Sequence, residues 1–112
     1  MNLQQFVLNI VLISSGKELL KQYGVLKYYK DHFPKMKETD IHETIRDFIN
    51  DSSSFENRAV KKLQRIPYKY KVKIFEISVL IIKSCMRHAE LPGEKNYVLY
   101  RLEEVRNRLL PH

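Results

Sequence analysis

Cys85 and His88 stand three residues apart. On a helix that spacing brings a thiolate and an imidazole to one face, half of what a zinc site requires. Zinc takes four ligands, or three and a water. The other histidines, His32, His42 and His112, are scattered, with no pair at i, i+4. Cys85 is therefore read as a small core residue and His88 as a turn residue, and no metal is expected. Ser14-Ser15-Gly16-Lys17 has the look of a phosphate loop. It lacks the first glycine of that motif and the hydroxyl residue after the lysine, and it lies in an apolar helical run. No Gly-x-Ser-x-Gly occurs, and one cysteine without a matched histidine and acid is no nucleophile. Nothing supports catalysis or a cofactor, and the chain is read as a non-enzyme.

Two charged clusters remain. Asp40, Glu43, Asp47 and Asp51 recur at three- and four-residue spacing, the spacing of one helix face, and are read as a solvated stripe. The stronger signal is basic. Between Asn57 and Ile74 there are seven cations and no acid: Arg58, Lys61, Lys62, Arg65, Lys69, Lys71 and Lys73. Tyr68 and Tyr70 are interleaved with them. Clustered cations engage acidic protein surfaces or phosphates, and aromatic rings among them offer stacking. These nine residues are the candidate binding site. A solvated face with the tyrosines in the core is the competing account.

The elements that must carry this surface follow from apolar spacing. Leu3, Phe6, Val7, Ile10 and Ile13 recur as on a helix, with Val11 and Leu12 widening the stripe, so a central helix is expected from about Leu3 to Tyr23, stopped by Gly24. A second helix, Val25 to Phe33, must end before Pro34. Asp40 with Glu43, and Ser53 with Glu56, have capping-box spacing. They predict one helix with Ile41, Ile45, Phe48 and Ile49 inward, and another from about Phe55 to Ile66 with Phe55, Ala59, Val60 and Leu63 inward.

Residues 67–85 alternate apolar and basic residues at first, as a strand does, but the phase slips at Phe75. A helix beginning at Pro67 places Tyr68, Val72, Phe75, Val79 and Ile82 on one stripe, flanked by Ile74, Ile77, Ile81 and Cys85, and is the reading adopted. A last helix, about Gly93 to Leu110, should face inward with Tyr97, Tyr100, Leu102, Val105 and Leu109. Residues 86–102 are then a connection between helices without a ligand cage.

Totals bound the rest. One domain is expected over all 112 residues, with 44% apolar residues to form a core and only three glycines and four prolines to make turns. One cysteine excludes an internal disulfide and suits a reducing compartment. The run Phe6 to Ile13 is about half a membrane span, with no basic residue before it and no clean cleavage site after it, so a cytoplasmic location is expected. The net charge of +7 is lopsided: residues 1–56 carry seven Lys/Arg and eight Asp/Glu, residues 57–112 thirteen and five. Such asymmetry points to an acidic partner.

A shift of 69 residues lays Phe6, Ile13, Ser15, Gly24 and Tyr28 over Phe75, Ile82, Ser84, Gly93 and Tyr97, five identities in 28 positions. This is the outline of two helical pairs. The stretch "KIFEISVLIIKSCMRHAELPGEKNYVLYRLEEVRNRLL" resembles the second half of the TerB-like domains, the helical modules of tellurite-resistance proteins and of some DnaJ-type co-chaperones. There a long apolar helix ends in an Asp-Gly turn, and a Ser/Pro and Glu stretch opens the next. Here Glu90-Leu91, Pro92 and Glu94 match, but His88-Ala89 replaces Asp-Gly. The resemblance implies an all-α bundle of five to six helices in a stress-response or co-chaperone setting. The lost acids count against a cation-binding tellurite-resistance-type module. The function expected is an interaction or regulatory module whose basic helix face binds an acidic protein. Nucleic acid and an anionic membrane surface fit the same charge, and exposure of Tyr97 or Tyr100 would favour a protein.

Overall fold

A computed structural model describes residues 2–22, 24–88 and 92–110, with the side chains at 18, 19, 21, 22, 88 and 92–96 outside that description. Six helices follow one another: α1 (Leu3–Gln22), α2 (Val25–His32), α3 (Glu38–Asn50), α4 (Ser52–Gln64), α5 (Tyr68–His88) and α6 (Pro92–Leu109). No strand occurs among the described residues. The all-α bundle expected from the sequence is the architecture found.

A helix apolar on all sides must be buried, and α1 is such a helix. Val7, Leu8 and the run Ile10 to Ile13 are all buried, because α1 touches each of the other five helices. Its most extensive contact is with α5, and it also packs on α6, while α2 packs on α5. The Tyr29 hydroxyl donates to the Gln4 carbonyl at 2.9 Å and ties α2 to α1. Burial pushes that phenol well above its ordinary pKa. Within α1, Gly16 takes φ 71°, ψ 178°, a conformation essentially reserved for glycine. It kinks the helix after Ser14 and Ser15, both buried. Their hydroxyls are closed to any phosphate, so Ser14-Ser15-Gly16-Lys17 is a bend. Gly24, at φ 61° and ψ 33°, starts α2 in the left-handed region.

The caps differ from those expected. α3 begins at Glu38 behind Lys37, with no side-chain cap, so Asp40 sits inside the first turn. There it and Glu38 face the positive end of the helix dipole. A single residue, Asp51, separates α3 from α4. Its Oδ1 accepts the Ser54 amide at 3.1 Å and caps α4, the role that the spacing gave to Ser53. Glu56 is free of capping and instead binds Arg101 of α6. Arg101 also meets Glu104 at 3.1 Å, and Arg108 approaches Glu56 at 3.6 Å. Burial opposes the Arg101 charge, but the two carboxylates outweigh it and raise its pKa. This half-buried cluster fixes α6 against α4.

In α5 the buried line runs Ile74, Phe75, Ser78, Ile81, Ile82 and Cys85. Tyr68 is exposed and Val72 and Val79 are half-buried, so the inward face is turned from the stripe that apolar spacing suggested. The reason is Ser78. It sits fully buried at the centre of the face, its hydroxyl donating to the Ile74 carbonyl at 2.7 Å, and a polar residue leaves no mark in an apolar count. In α6, Val98, Leu102, Val105 and Leu109 face the core, while Tyr97 and Tyr100 are exposed. The turn expected around Ala89 to Leu91 lies outside the described residues.

Candidate interaction surface at the α4–α5 corner

Charge collects where α4 ends and α5 begins. Arg58, Lys61, Lys62 and Arg65 fall on one side of α4 because residues three and four apart share a face, and all four are exposed. Arg65, Ile66 and Pro67 make the corner, and the Pro67 carbonyl accepts the Lys71 amide at 3.2 Å to open α5. The first turn of α5 contains no acid. It instead brings Lys69 to the same corner, with Lys73 one turn on, against the sign that a helix N-terminus prefers. Tyr68 and Tyr70 are 59% and 40% exposed, which answers the question the sequence left open: they are surface rings. The Lys69 ammonium stands 5.1 Å from the centre of the Tyr70 ring, a cation–π distance.

Two of the nine candidate residues are tied into the fold. Arg58 makes a double hydrogen bond to Asp47 of α3, at 3.1 and 3.0 Å, and a third to Ser54. That hydrogen-bonded guanidinium holds the Asp47 carboxyl below the usual carboxylate range. Lys71 is half-buried and donates to the Leu109 carbonyl at 3.3 Å, closing the end of α6. Lys61, Lys62, Arg65, Lys69 and Lys73 form no ion pair among the described residues. The free surface therefore consists of these five cations and the two tyrosines.

Beside the corner, α1, α3 and α4 enclose a cleft of about 240 Å³ that reaches Arg58 and Lys62. Gln5 spans its wall, donating to Asn9 at 3.1 Å and to Thr44 at 3.0 Å. Its polar groups are largely engaged with one another, so it reads as helix-to-helix glue.

Of the acidic stripe, Asp47 is paired and Asp51 is a cap, while Asp40 and Glu43 are solvated. Among the described residues no three His, Cys, Asp or Glu side chains gather as a metal set. Cys85 is buried, which pushes its thiol pKa up, and the His88 side chain lies outside the described residues. No described helix is long and apolar enough to cross a membrane.

Sequence reasoning missed a second exposed line on α5, Leu80, Lys83 and Arg87, and exposed Leu99 on α6. The four-then-three spacing of the exposed α5 residues was the available signal. No family model, curated protein or solved structure matches the chain, so the TerB-like resemblance gains no support from comparison.

Proposed function

We propose that this chain is a non-enzymatic interaction module that binds an acidic protein through the α4–α5 corner. The observation carrying the proposal is the set Lys61, Lys62, Arg65, Lys69 and Lys73, exposed together without an ion pair among the described residues and flanked by exposed Tyr68 and Tyr70. Unneutralised cations steer and select an acidic partner. Tyrosines supply contact area at small entropic cost, and Tyr and Arg dominate interface hot spots. Exposed Tyr97 and Tyr100 favour a protein over a nucleic acid, because they lie on α6, outside the basic run. A cytoplasmic setting suits the single thiol, and a co-chaperone-like role rests on the TerB-like resemblance alone.

The second reading is nucleic-acid binding by the same corner, favoured by rings set among lysines. Fluorescence anisotropy separates the two. Labelled duplex DNA, single-stranded DNA, RNA and a polyglutamate peptide are titrated at low and near-physiological salt, against the wild type and K61E/K62E/R65E. Arg58 is left intact because its loss would disturb α3. Peptide binding that survives near-physiological salt and vanishes in the variant supports the first reading. Nucleic-acid binding of that kind, falling with salt as counterion release requires, replaces it with the second.

A further inference from the structure

α5 has an uncovered side. It packs chiefly on α1, α2 and α6, and beyond its first turn only Lys73, Glu76, Leu80, Lys83 and Arg87 are exposed among its described side chains. With Lys69 these form a single file at steps of four, three, four, three and four residues. That rhythm, averaging 3.6, is the repeat of the α-helix itself, so the file is one straight side of α5, open along its length. From Lys69 to Arg87 the file runs about 27 Å at 1.5 Å per residue.

The file is strongly basic. Four cations meet one acid, Glu76, and none of the four has an ion pair among the described residues. At its middle stands Leu80, half exposed. At its far end Lys83, Met86 and Arg87 of α5 and Leu99 of α6 line a groove of about 350 Å³, roomy enough for a large apolar side chain. Cations along a helix face that carries one exposed leucine and ends in a groove lined in part by Met86 and Leu99 complement one kind of ligand. Its apolar residues lie in a stripe, and its flanks are acidic. The 69-residue register adds a contrast: Val7, Val11 and Ser14, the α1 positions that answer to Glu76, Leu80 and Lys83, are buried. What α1 hides beneath its neighbours, α5 leaves open.

We infer that this lane is the seat of an acidic amphipathic helix contributed by a partner protein, lying along α5 from the basic corner to the groove. The inference rests on the acidic-partner reading and adds the partner's shape and path. Leu80 and the groove take the apolar stripe. Lys69, Lys73, Lys83 and Arg87 meet its carboxylates, and Glu76 demands a basic or uncharged residue opposite, which sets the register.

The test uses the full chain and three labelled peptides of about 21 residues, long enough to run the lane at 1.5 Å per residue. One is a Glu-rich helix with a single Leu stripe. The second has the same composition with the leucines scattered, and the third carries Lys for Glu with the stripe kept. The chain variants are L80E/K83E/R87E in the lane and K61E/K62E/R65E at the corner, each checked for an unchanged melting temperature and helical spectrum. The expected result is that wild type binds the striped acidic peptide at least about tenfold tighter than the scattered one, a difference worth roughly 1.4 kcal/mol. The lane variant loses that preference and gains binding to the Lys peptide, and the corner variant keeps the preference at weaker overall affinity.

Equal binding of striped and scattered peptides, both lost in the corner variant, overturns the lane while leaving the acidic-partner reading standing. A preference lost only in the lane variant, with the corner variant equal to wild type, keeps the lane and removes the corner from the interface. Absence of peptide binding, or lane-dependent binding of single-stranded DNA or RNA tighter than any peptide, overturns the lane.

Discussion

Replacing Leu80 and Ile81 by alanine, one at a time, steps from the open lane of α5 into the core within one residue. Ile81 is 2% exposed and Leu80 50%. Truncating a buried isoleucine removes its transfer free energy and leaves a cavity, about 2–5 kcal/mol. Alanine's better helix propensity returns only a few tenths of a kcal/mol. A fully buried leucine side chain is worth roughly 1.5–3 kcal/mol over an exposed one. With half its surface already in water, Leu80→Ala should cost under about 1 kcal/mol on the same scale. The assay is urea unfolding followed by circular dichroism, with midpoints compared at unchanged slope. At roughly 3–6 °C per kcal/mol for a domain of this size, Ile81→Ala lowers the melting temperature by roughly 6–30 °C, and Leu80→Ala by a few degrees. The measurement is repeated at tenfold different protein concentrations. Equal losses in the two variants would refute the assignment of Leu80 to solvent. A Leu80→Ala loss that grows with concentration would show the lane covered by a second copy, since an association contributes stability by mass action.

Two further outcomes follow from backbone and charge. Gly16→Ala has open space around the added Cβ, so its cost is conformational, about 1–3 kcal/mol for that region of φ and ψ. Gly24→Ala, in the left-handed helical region, costs roughly 1–2 kcal/mol, and thermal melts should rank the pair in that order. The Asp47 carboxyl has its folded pKa depressed, first by the Arg58 hydrogen bond and then by charge. Its contribution is therefore full above the unfolded pKa of about 3.9 and is lost as pH falls through the folded value. D47N should be less stable than wild type at pH 7, and the gap should narrow as pH falls below about 3.9 and through the depressed folded value. A gap that widened on acidification would contradict the pairing.

Much of the architecture was legible because it rests on local periodicity. The apolar run of α1 reads as a central helix, Gly24 and Pro34 bound α2, and Phe55, Ala59, Val60 and Leu63 face inward as their spacing says. α5 was legible as a helix only through the phase slip at Phe75. Its facing was not, because the deepest position is Ser78 and the first apolar ring, Tyr68, belongs to the surface. Tyr97 and Tyr100 misled for the same reason, since an aromatic ring counts as apolar whether or not a neighbour covers it. At the corner the run of cations was plain in the sequence. That Arg58 is committed to Asp47 and Lys71 to the Leu109 carbonyl was not, because both partners come from other helices. Asp51 took the cap from Ser53 because α3 and α4 are separated by one residue, a closeness no spacing rule reveals.

The wrapping of α1 has a consequence for how the chain is made. Its closest companions, α5 and α6, are some 50 to 100 residues away in sequence, so the contacts that shelter Val7 to Ile13 close the longest loops in the molecule. Loop closure of that span slows folding relative to a bundle of sequential hairpins. During synthesis α1 emerges before α5 and α6, the helices that shelter it, an interval in which such a surface is prone to aggregate. Slow, late-closing folding with early exposure of α1 is the cost of building the core around it.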